Sequence, residues 1–578
     1  AVSLTVRVLP DGPIDKTFDY LVPERLRARA SVGALVRVPL HGRRVSGWVV
    51  DVDVAPPADV KMAEVLAVRG LGPPADLVGL AEWAAHRWAG RTASLLTAAS
   101  PPVLVPRLPS SLMGTVPVGG GVPDLPPEAL APPGAVVRLA PPVDHLPLVL
   151  AAARLGPALV VTPSVAMARA LATRVRRAGV GVAVVPRDWA QSYGGVGVTI
   201  GARGAVWAPA TDLAVIVVID EHDEGLKEER VPTWHARDVA IERGRRAGVP
   251  VVLTSPCPSL EALAWAPLVT PSRNAERQGW PALEVVDMRK AADPVRTGSY
   301  SEPLVRLLRS GGRVVCVLNR TGRSRLLACA ACGELATCER CGAAVVQPAG
   351  DLECPRCGIV RPPICLRCHS TKLKNLRAGV SRVREELEAL AGVPVVEVTG
   401  AEGAGEDLRD GQVLVGTEAV LHRATEGDAV AFLDFDQELL APRYRAAEEA
   451  FALLARAARL VGGRRLGSRI LVQTRVPNHE VIDAALHGDP ARVADAEARR
   501  RSDLRFPPVS AMAAISGAGA PDFIDALTAT LDPGIDVLGP AKGMWLVRAA
   551  SSGELADTLA RVPRPSARVR VEVDPLRV

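Results

Sequence analysis

The stretch Ala214-Val-Ile-Val-Val-Ile-Asp-Glu-His-Asp223 is apolar for six residues and then turns acidic. A run that is apolar throughout, without polar alternation, is expected of a strand in a parallel sheet covered on both faces. Its acidic end stands where a nucleotide-hydrolysing fold would hold its metal, although acidic strand ends are also common as solvated caps. Comparable runs lie on either side: Ala158-Leu-Val-Val-Thr162, Val196-Gly-Val-Thr-Ile200 and Pro250-Val-Val-Leu-Thr254, with a helical stretch from Ser164 to Ala178. The alternation resumes at Arg313-Val-Val-Cys-Val-Leu318, Pro394-Val-Val-Glu-Val398, Gln412-Val-Leu-Val415 and Ala429-Val-Ala-Phe-Leu433. Strand and helix in alternation predict two α/β lobes, over 135–290 and 291–475.

Outward from these lobes the pattern changes. Residues 1–105 alternate short β-type runs with turn residues and end in an amphipathic helix around Leu77 to Trp88, which predicts a small β-rich domain. A Pro-, Gly- and Ser-dense linker follows over 106–134, and an α+β domain over 476–578 closes the chain. At roughly 150 residues per domain, 578 residues hold about four. No apolar run approaches the ~20 residues that span a bilayer. The first residues, Ala1-Val-Ser-Leu-Thr-Val-Arg-Val8, lack the basic and apolar segments of an export signal, so a cytoplasmic location is expected. Net charge is 69 − 63 = +6, and only 7 of the 69 basic residues are lysine. Arginine excess fits both a GC-rich genome and bidentate phosphate contacts, so charge alone does not choose a partner.

Eight of the ten cysteines form four C-x-x-C pairs within 329–368: Cys329/Cys332, Cys338/Cys341, Cys354/Cys357 and Cys365/Cys368. A C-x-x-C turn aims two thiolates at one tetrahedral ion, so four pairs predict two structural zinc sites with no ligand position left for water. Cys257 and Cys316 sit in or beside apolar runs and read as core residues. Two α/β lobes also invite a search for a phosphate-binding loop. No Gly-Lys-[Ser/Thr] occurs anywhere, and no lysine stands between Lys61 and Lys227.

Taken together, these features resemble the PriA family of primosomal replication-restart helicases (primosomal protein N-prime). The resemblance rests on Thr17-Phe-Asp-Tyr-Leu-Val-Pro23, Gly201-Ala-Arg-Gly-Ala-Val-Trp-Ala-Pro209, His222-Asp223, Trp234-His-Ala-Arg-Asp238 and Leu253-Thr-Ser-Pro-Cys-Pro-Ser-Leu-Glu261. It continues through Leu318-Asn-Arg-Thr-Gly322 before the cysteines, Val415-Gly-Thr417 and Tyr444-Arg-Ala-Ala-Glu448. It implies two RecA-like helicase lobes, a zinc module inserted in the second, an N-terminal 3′-end DNA-binding domain and a C-terminal α+β domain. It also implies a pocket for the 3′ end of a nascent strand, in which Phe18 and Tyr20 are walls, Asp19 accepts from the terminal hydroxyl and Lys61 contacts phosphate; Gly42, in the turn after Pro39, lines it too. The expected zinc pairing is crossed: Cys329, Cys332, Cys365 and Cys368 on one ion, and Cys338, Cys341, Cys354 and Cys357 on the other. Implied partners are forked or branched DNA, single-stranded-DNA-binding protein, and other primosome or replicative-helicase loading proteins.

Departures from the family concentrate on one activity. Its glycine-rich loop with lysine is replaced by Leu139-Ala-Pro-Pro-Val-Asp-His145, Ile219 replaces the first metal-holding carboxylate, and Leu460 and Gly463 fall where two arginine fingers belong. Phosphoryl transfer needs all three, which argues against ATP as a cofactor and against an enzyme. The family's winged-helix domain also finds no room in the linker. The leading expectation is a non-catalytic fork-recognition and primosome-assembly protein. The alternatives are an active ATP-dependent 3′–5′ helicase of the same family, against which the missing lysine argues, and a zinc-ribbon RNA-binding scaffold, against which the Phe-Asp-Tyr element argues.

Overall fold

The computed structural model describes residues 4–12, 15–55, 62–117, 126–290, 300–318, 326–348, 350–375, 380–398, 411–464 and 467–578. The N-terminal domain is an antiparallel sheet of five strands in the order Phe18–Val22, Leu4–Pro10, Arg43–Val52, Leu35–Leu40, Ala67–Gly70. Period-two alternation gives it two apolar faces. Val6, Val8, Tyr20, Val36, Val38, Val49 and Val68 form a core on one side. On the other, Leu9 and Trp48 share a core with the helices Ala75–Arg87 and Thr92–Ala99. The hairpin joining its third and fourth strands in chain order turns through His41 and Gly42 alone, with φ 48° and 76°, so that Leu40 pairs directly with Arg43. Two consecutive positive φ values are the type I′ geometry that matches strand twist, and Gly42 supplies the second without steric cost.

Both lobes are parallel sheets. The first has seven strands in the order Leu268–Val269, Gly134–Arg138, Val251–Ser255, Val215–Val218, Ala158–Val161, Val198–Gly201, Val182–Val184. Val215–Val218 is buried throughout: Ile216 and Val218 join one core, Val215 and Val217 another on the opposite face. This explains the unbroken apolar reading of that strand. The second lobe has six strands, Ala282–Asp287, Arg469–Thr474, Ala429–Phe432, Val314–Val317, Val413–Gly416, Val395–Val398. Its edge strand Ala282–Asp287 comes from the segment that the sequence reading placed with the first lobe, and it pairs with Arg469–Thr474, almost two hundred residues away. The described part of 106–133 contains one short turn of helix, Pro127–Leu130, and lies along the first lobe through Leu112 beside Val196 and Gly114 beside Val180.

The cysteine-rich segment interrupts the second lobe between Val314–Val317 and Val395–Val398. It docks on that lobe: the Ala344 N–H donates to Leu440 O at 2.9 Å, and the Arg356 guanidinium donates to Ala441 O and Arg443 O at 2.6 and 2.9 Å. Helices Glu480–His487 and Ala491–Leu504 pack on the long helix Ala446–Val461. The C-terminal sheet follows, four antiparallel strands in the order Asp536–Ala541, Met544–Ala549, Ala511–Ser516, Arg570–Val573. Among the described residues no helix is long and apolar enough to cross a membrane.

Candidate functional site

Each C-x-x-C is followed by a residue with positive φ: Gly333 at 74°, Gly342 at 70°, Gly358 at 73° and His369 at 59°. In that conformation the residue's N–H returns to the carbonyl of the first cysteine, at 3.0, 2.9, 2.9 and 2.9 Å for the four turns. The turn closes tightly and leaves both thiols on one side. The turns then meet in the crossed pairs expected from the resemblance. Sγ of Cys329 lies 3.5 Å from that of Cys368, and Cys332 lies 3.6 Å from Cys365. In the second group Cys338 lies 3.5 Å from Cys357 and Cys341 lies 3.4 Å from Cys354. Within each tetrad all four sulfurs lie within 4.8 Å of one another. Zn–S bonds of about 2.3 Å in a tetrahedron place sulfurs about 3.8 Å apart. A disulfide would need about 2.05 Å. Each tetrad could therefore hold one metal ion, and its all-thiolate donor set suits zinc. Burial works against a thiolate at Cys329, but N–H groups of Cys332 and Ala331 point at its sulfur and bring that thiol below its ordinary range.

In the N-terminal domain the strand Phe18–Val22 separates the residues that the resemblance grouped. Phe18 and Tyr20 face the core, Tyr20 is buried, and its hydroxyl donates to Pro39 O at 3.0 Å, which ties the strand to the hairpin carrying Gly42. Asp19 points to the opposite face, where Arg7 on the neighbouring strand donates to its two oxygens at 2.9 and 3.2 Å. Lys61 lies outside the described residues. Strand alternation was the signal available in Phe-Asp-Tyr for this division.

A cavity of about 670 Å³ lies between the lobes and is lined by Asp220, Glu221, His222 and Asp223 from the end of Val215–Val218 and by residues of Ala446–Val461. Arg445, Glu448, Ala452, Arg456 and Arg459 recur at helical spacing and line it together. The arginines cross to the first lobe. Arg459 grips both oxygens of Asp220, one at 2.8 Å, and donates to Pro141 O at 2.9 Å. Arg456 donates to Asp223 at 2.7 Å and also pairs with Glu418. Arg445 holds Glu261 at 2.9 and 3.0 Å. Asp220 adopts φ 51°, a conformation uncommon outside glycine, and is 2 % exposed. Burial alone would raise its pKa; Arg459 outweighs that and holds the carboxyl well below the usual range. His145, beside this pair, has both ring nitrogens buried without a partner, and burial lowers its pKa, so it is neutral at pH 7.

Thus the turn that follows the strand Gly134–Arg138, Leu139 to His145, is held by an arginine on its Pro141 carbonyl and contains no lysine. Glu221 is likewise committed, accepting from Ser259 N and Oγ at 2.7 and 2.8 Å and from Arg237 at 3.2 Å. The sequence reading followed Leu460 and Gly463 and passed over Arg456 and Arg459. Their spacing with Arg445 on one helical face was the clue.

The described fold is thus a two-lobed α/β core with an inserted cysteine module and an N-terminal β-rich domain. Residues 7–101 match the model of the 3′ DNA-binding domain of PriA. The protein named probable replication restart protein PriA in Mycobacterium leprae is 30% identical over 615 residues, covering 95% of this chain and 94% of that protein. The replication restart protein PriA of Bacillus subtilis is 29% identical over 350 residues, covering 56% of this chain and 43% of its own length. The chain belongs to the PriA family of replication restart proteins. Among solved structures, the Escherichia coli DExH-box NTPase HrpB aligns with a TM-score of 0.32 at 14% identity, over 59% of this chain and 39% of that one.

Proposed function

We propose that this protein recognises stalled or branched replication forks through the 3′ end of the nascent leading strand and promotes primosome assembly without unwinding DNA. The observation that carries the second half is Arg459, which spans Asp220 and Pro141 O in the cleft where a nucleotide would need a lysine, a free metal-holding carboxylate and an unpaired finger. This ion pair links the two lobes directly. Its expected partners are forked DNA, single-stranded-DNA-binding protein and other primosome proteins, and its expected location is the cytoplasm. The test is ATP turnover with and without forked DNA. Hydrolysis at background, with no strand separation, is the expected result. ATP-dependent unwinding that persists through a final sizing column would restore the active-helicase reading.

The end-reading half is supported by the match over residues 7–101. Asp19, oriented by Arg7, is the acceptor for a terminal hydroxyl; Phe18 is the half-buried aromatic beside it in the chain, and Tyr20 acts by holding the turn after Pro39. Lys61 is the expected phosphate contact. Asp19→Ala should weaken binding to a fork ending in a 3′ hydroxyl by about 1–3 kcal/mol, the range of a charge-assisted bond, and leave plain duplex binding nearly unchanged. Lys61→Ala should flatten the salt dependence by about one counterion. Equal wild-type affinity, by anisotropy titration, for hydroxyl- and phosphate-ended forks would remove the assignment.

A further inference from the structure

In the N-terminal sheet, Val36, Val38, Val45 and Val68 face the core, so the residues alternating with them face away. These are Arg37 and Pro39 on one strand, Arg44 and Ser46 on the next, and Ala67 and Arg69 on the edge strand. The register places Arg37 opposite Ser46 and opposite Ala67; Arg44 is its diagonal neighbour on one side, and Arg69, the extra residue of the bulge where pairing passes from Val36–Val68 to Leu35–Gly70, flanks it on the other. Arg44, Arg37 and Arg69 thus form an oblique row across three strands, with Arg43 at the tip beside the His41-Gly42 turn. All four are exposed, and among the described residues none is paired with a carboxylate. Elsewhere on the same sheet Arg7 is held by Asp19.

Like charges gathered on one face repel one another, modestly at an exposed surface and less as salt screens them. An uncompensated row therefore costs the free protein stability that an anion with several regularly spaced charges would return. On these three strands the one aromatic side chain, Trp48, is buried under the helices Ala75–Arg87 and Thr92–Ala99, so no ring is open for an unpaired base to stack on. Arginine forks without a stacking platform suit a polymer that shows phosphates and hides its bases. We propose that the row Arg44, Arg37, Arg69 is a second DNA contact that tracks the phosphate backbone of the duplex arm behind the 3′ end. This rests on the fork-binding reading above and adds the surface on which the duplex lies.

The experiment compares wild type, the triple variant Arg37→Gln/Arg44→Gln/Arg69→Gln, and the matching triple Lys variant, titrated against a fork, its plain duplex and the same strand unpaired, over a range of salt. The Gln variant should lose on the order of tenfold or more in duplex and fork affinity at moderate salt, with the slope of log K against log salt reduced by about 2.7 for three phosphates. The Lys variant should keep most of that slope, which separates lost charge from lost fold. The preference for a hydroxyl over a phosphate end should survive in both. An unchanged slope in the Gln variant, or a loss confined to the unpaired strand, would overturn the proposal. A wild type that shows no end preference would instead remove the fork-end reading, and the duplex slopes would still decide the arginine row.

Discussion

Elemental analysis of the purified protein is expected to return two zinc ions per chain, one for each cysteine tetrad. Replacing Cys332 or Cys338 by Ser should each lower that content by one, because each belongs to a different tetrad. The structural consequence should differ between the two. The apolar cluster under the module consists of Leu327, Ala336, Cys338, Ala343, Val345, Leu352 and Cys354, of which two are ligands of the inner tetrad. A core of that size cannot fold alone, and structural zinc supplies on the order of 10 kcal/mol of apparent folding free energy in small metal domains. Loss of the inner ion should therefore unfold the segment around Ala343 to Arg356 and release its bonds to Leu440, Ala441 and Arg443. Loss of the outer ion should free only the ends of the module, which meet as the short ladder of Leu327–Cys329 with Leu373–Asn375. Limited proteolysis of the two variants reads this directly. A zinc content near one in the wild type, or a module that resists protease after metal removal, would contradict it.

Arg459→Ala is expected to cost about 3 kcal/mol or more of stability, the usual penalty for leaving one partner of a buried pair uncompensated. Asp220 is the partner left behind, with a neutral, unpaired His145 beside it and, among the described residues, no other base donating to its carboxylate. The sign with pH follows from its depressed pKa: the pair's contribution is complete above the ordinary carboxylate range near pH 4 and fades as pH falls toward the depressed value. The deficit of the variant should thus be greatest at neutral pH and shrink in acid. Because Arg459 joins the two lobes, the same substitution should raise hydrogen exchange around Pro141 and Asp220 and increase the radius of gyration in solution scattering. A combined Asp220→Leu/Arg459→Met change, which removes both charges, should recover much of the lost stability. A single variant as stable and as compact as the wild type would show that Arg445, Arg456 and the packing between lobes suffice without this pair.

These two regions mark opposite ends of what could be read in advance. The cysteine turns were legible because everything they need is local: two thiols three residues apart, and at three of the four a glycine free to adopt positive φ. The strands Val215–Val218 and Val314–Val317 were legible because burial on both faces leaves an unbroken apolar run. Such features are written within a few residues and do not depend on what the rest of the chain does. The places where reading failed are all meetings of distant segments. Ala282–Asp287 follows the first lobe in the chain but completes the second sheet, because its pairing edge is supplied by Arg469–Thr474. Asp19 stands between two aromatics in sequence, yet the pleat sends it to the other face, where the register offers Arg7. Arg459 takes its role from a carboxylate 239 residues away. The sequence by itself determined two α/β lobes, the cysteine turns and the lack of a phosphate-binding lysine. Only the tertiary structure decided that the cleft between the lobes is bridged by an ion pair, since a charge finds its partner through the packing of whole elements and not through its neighbours in the chain.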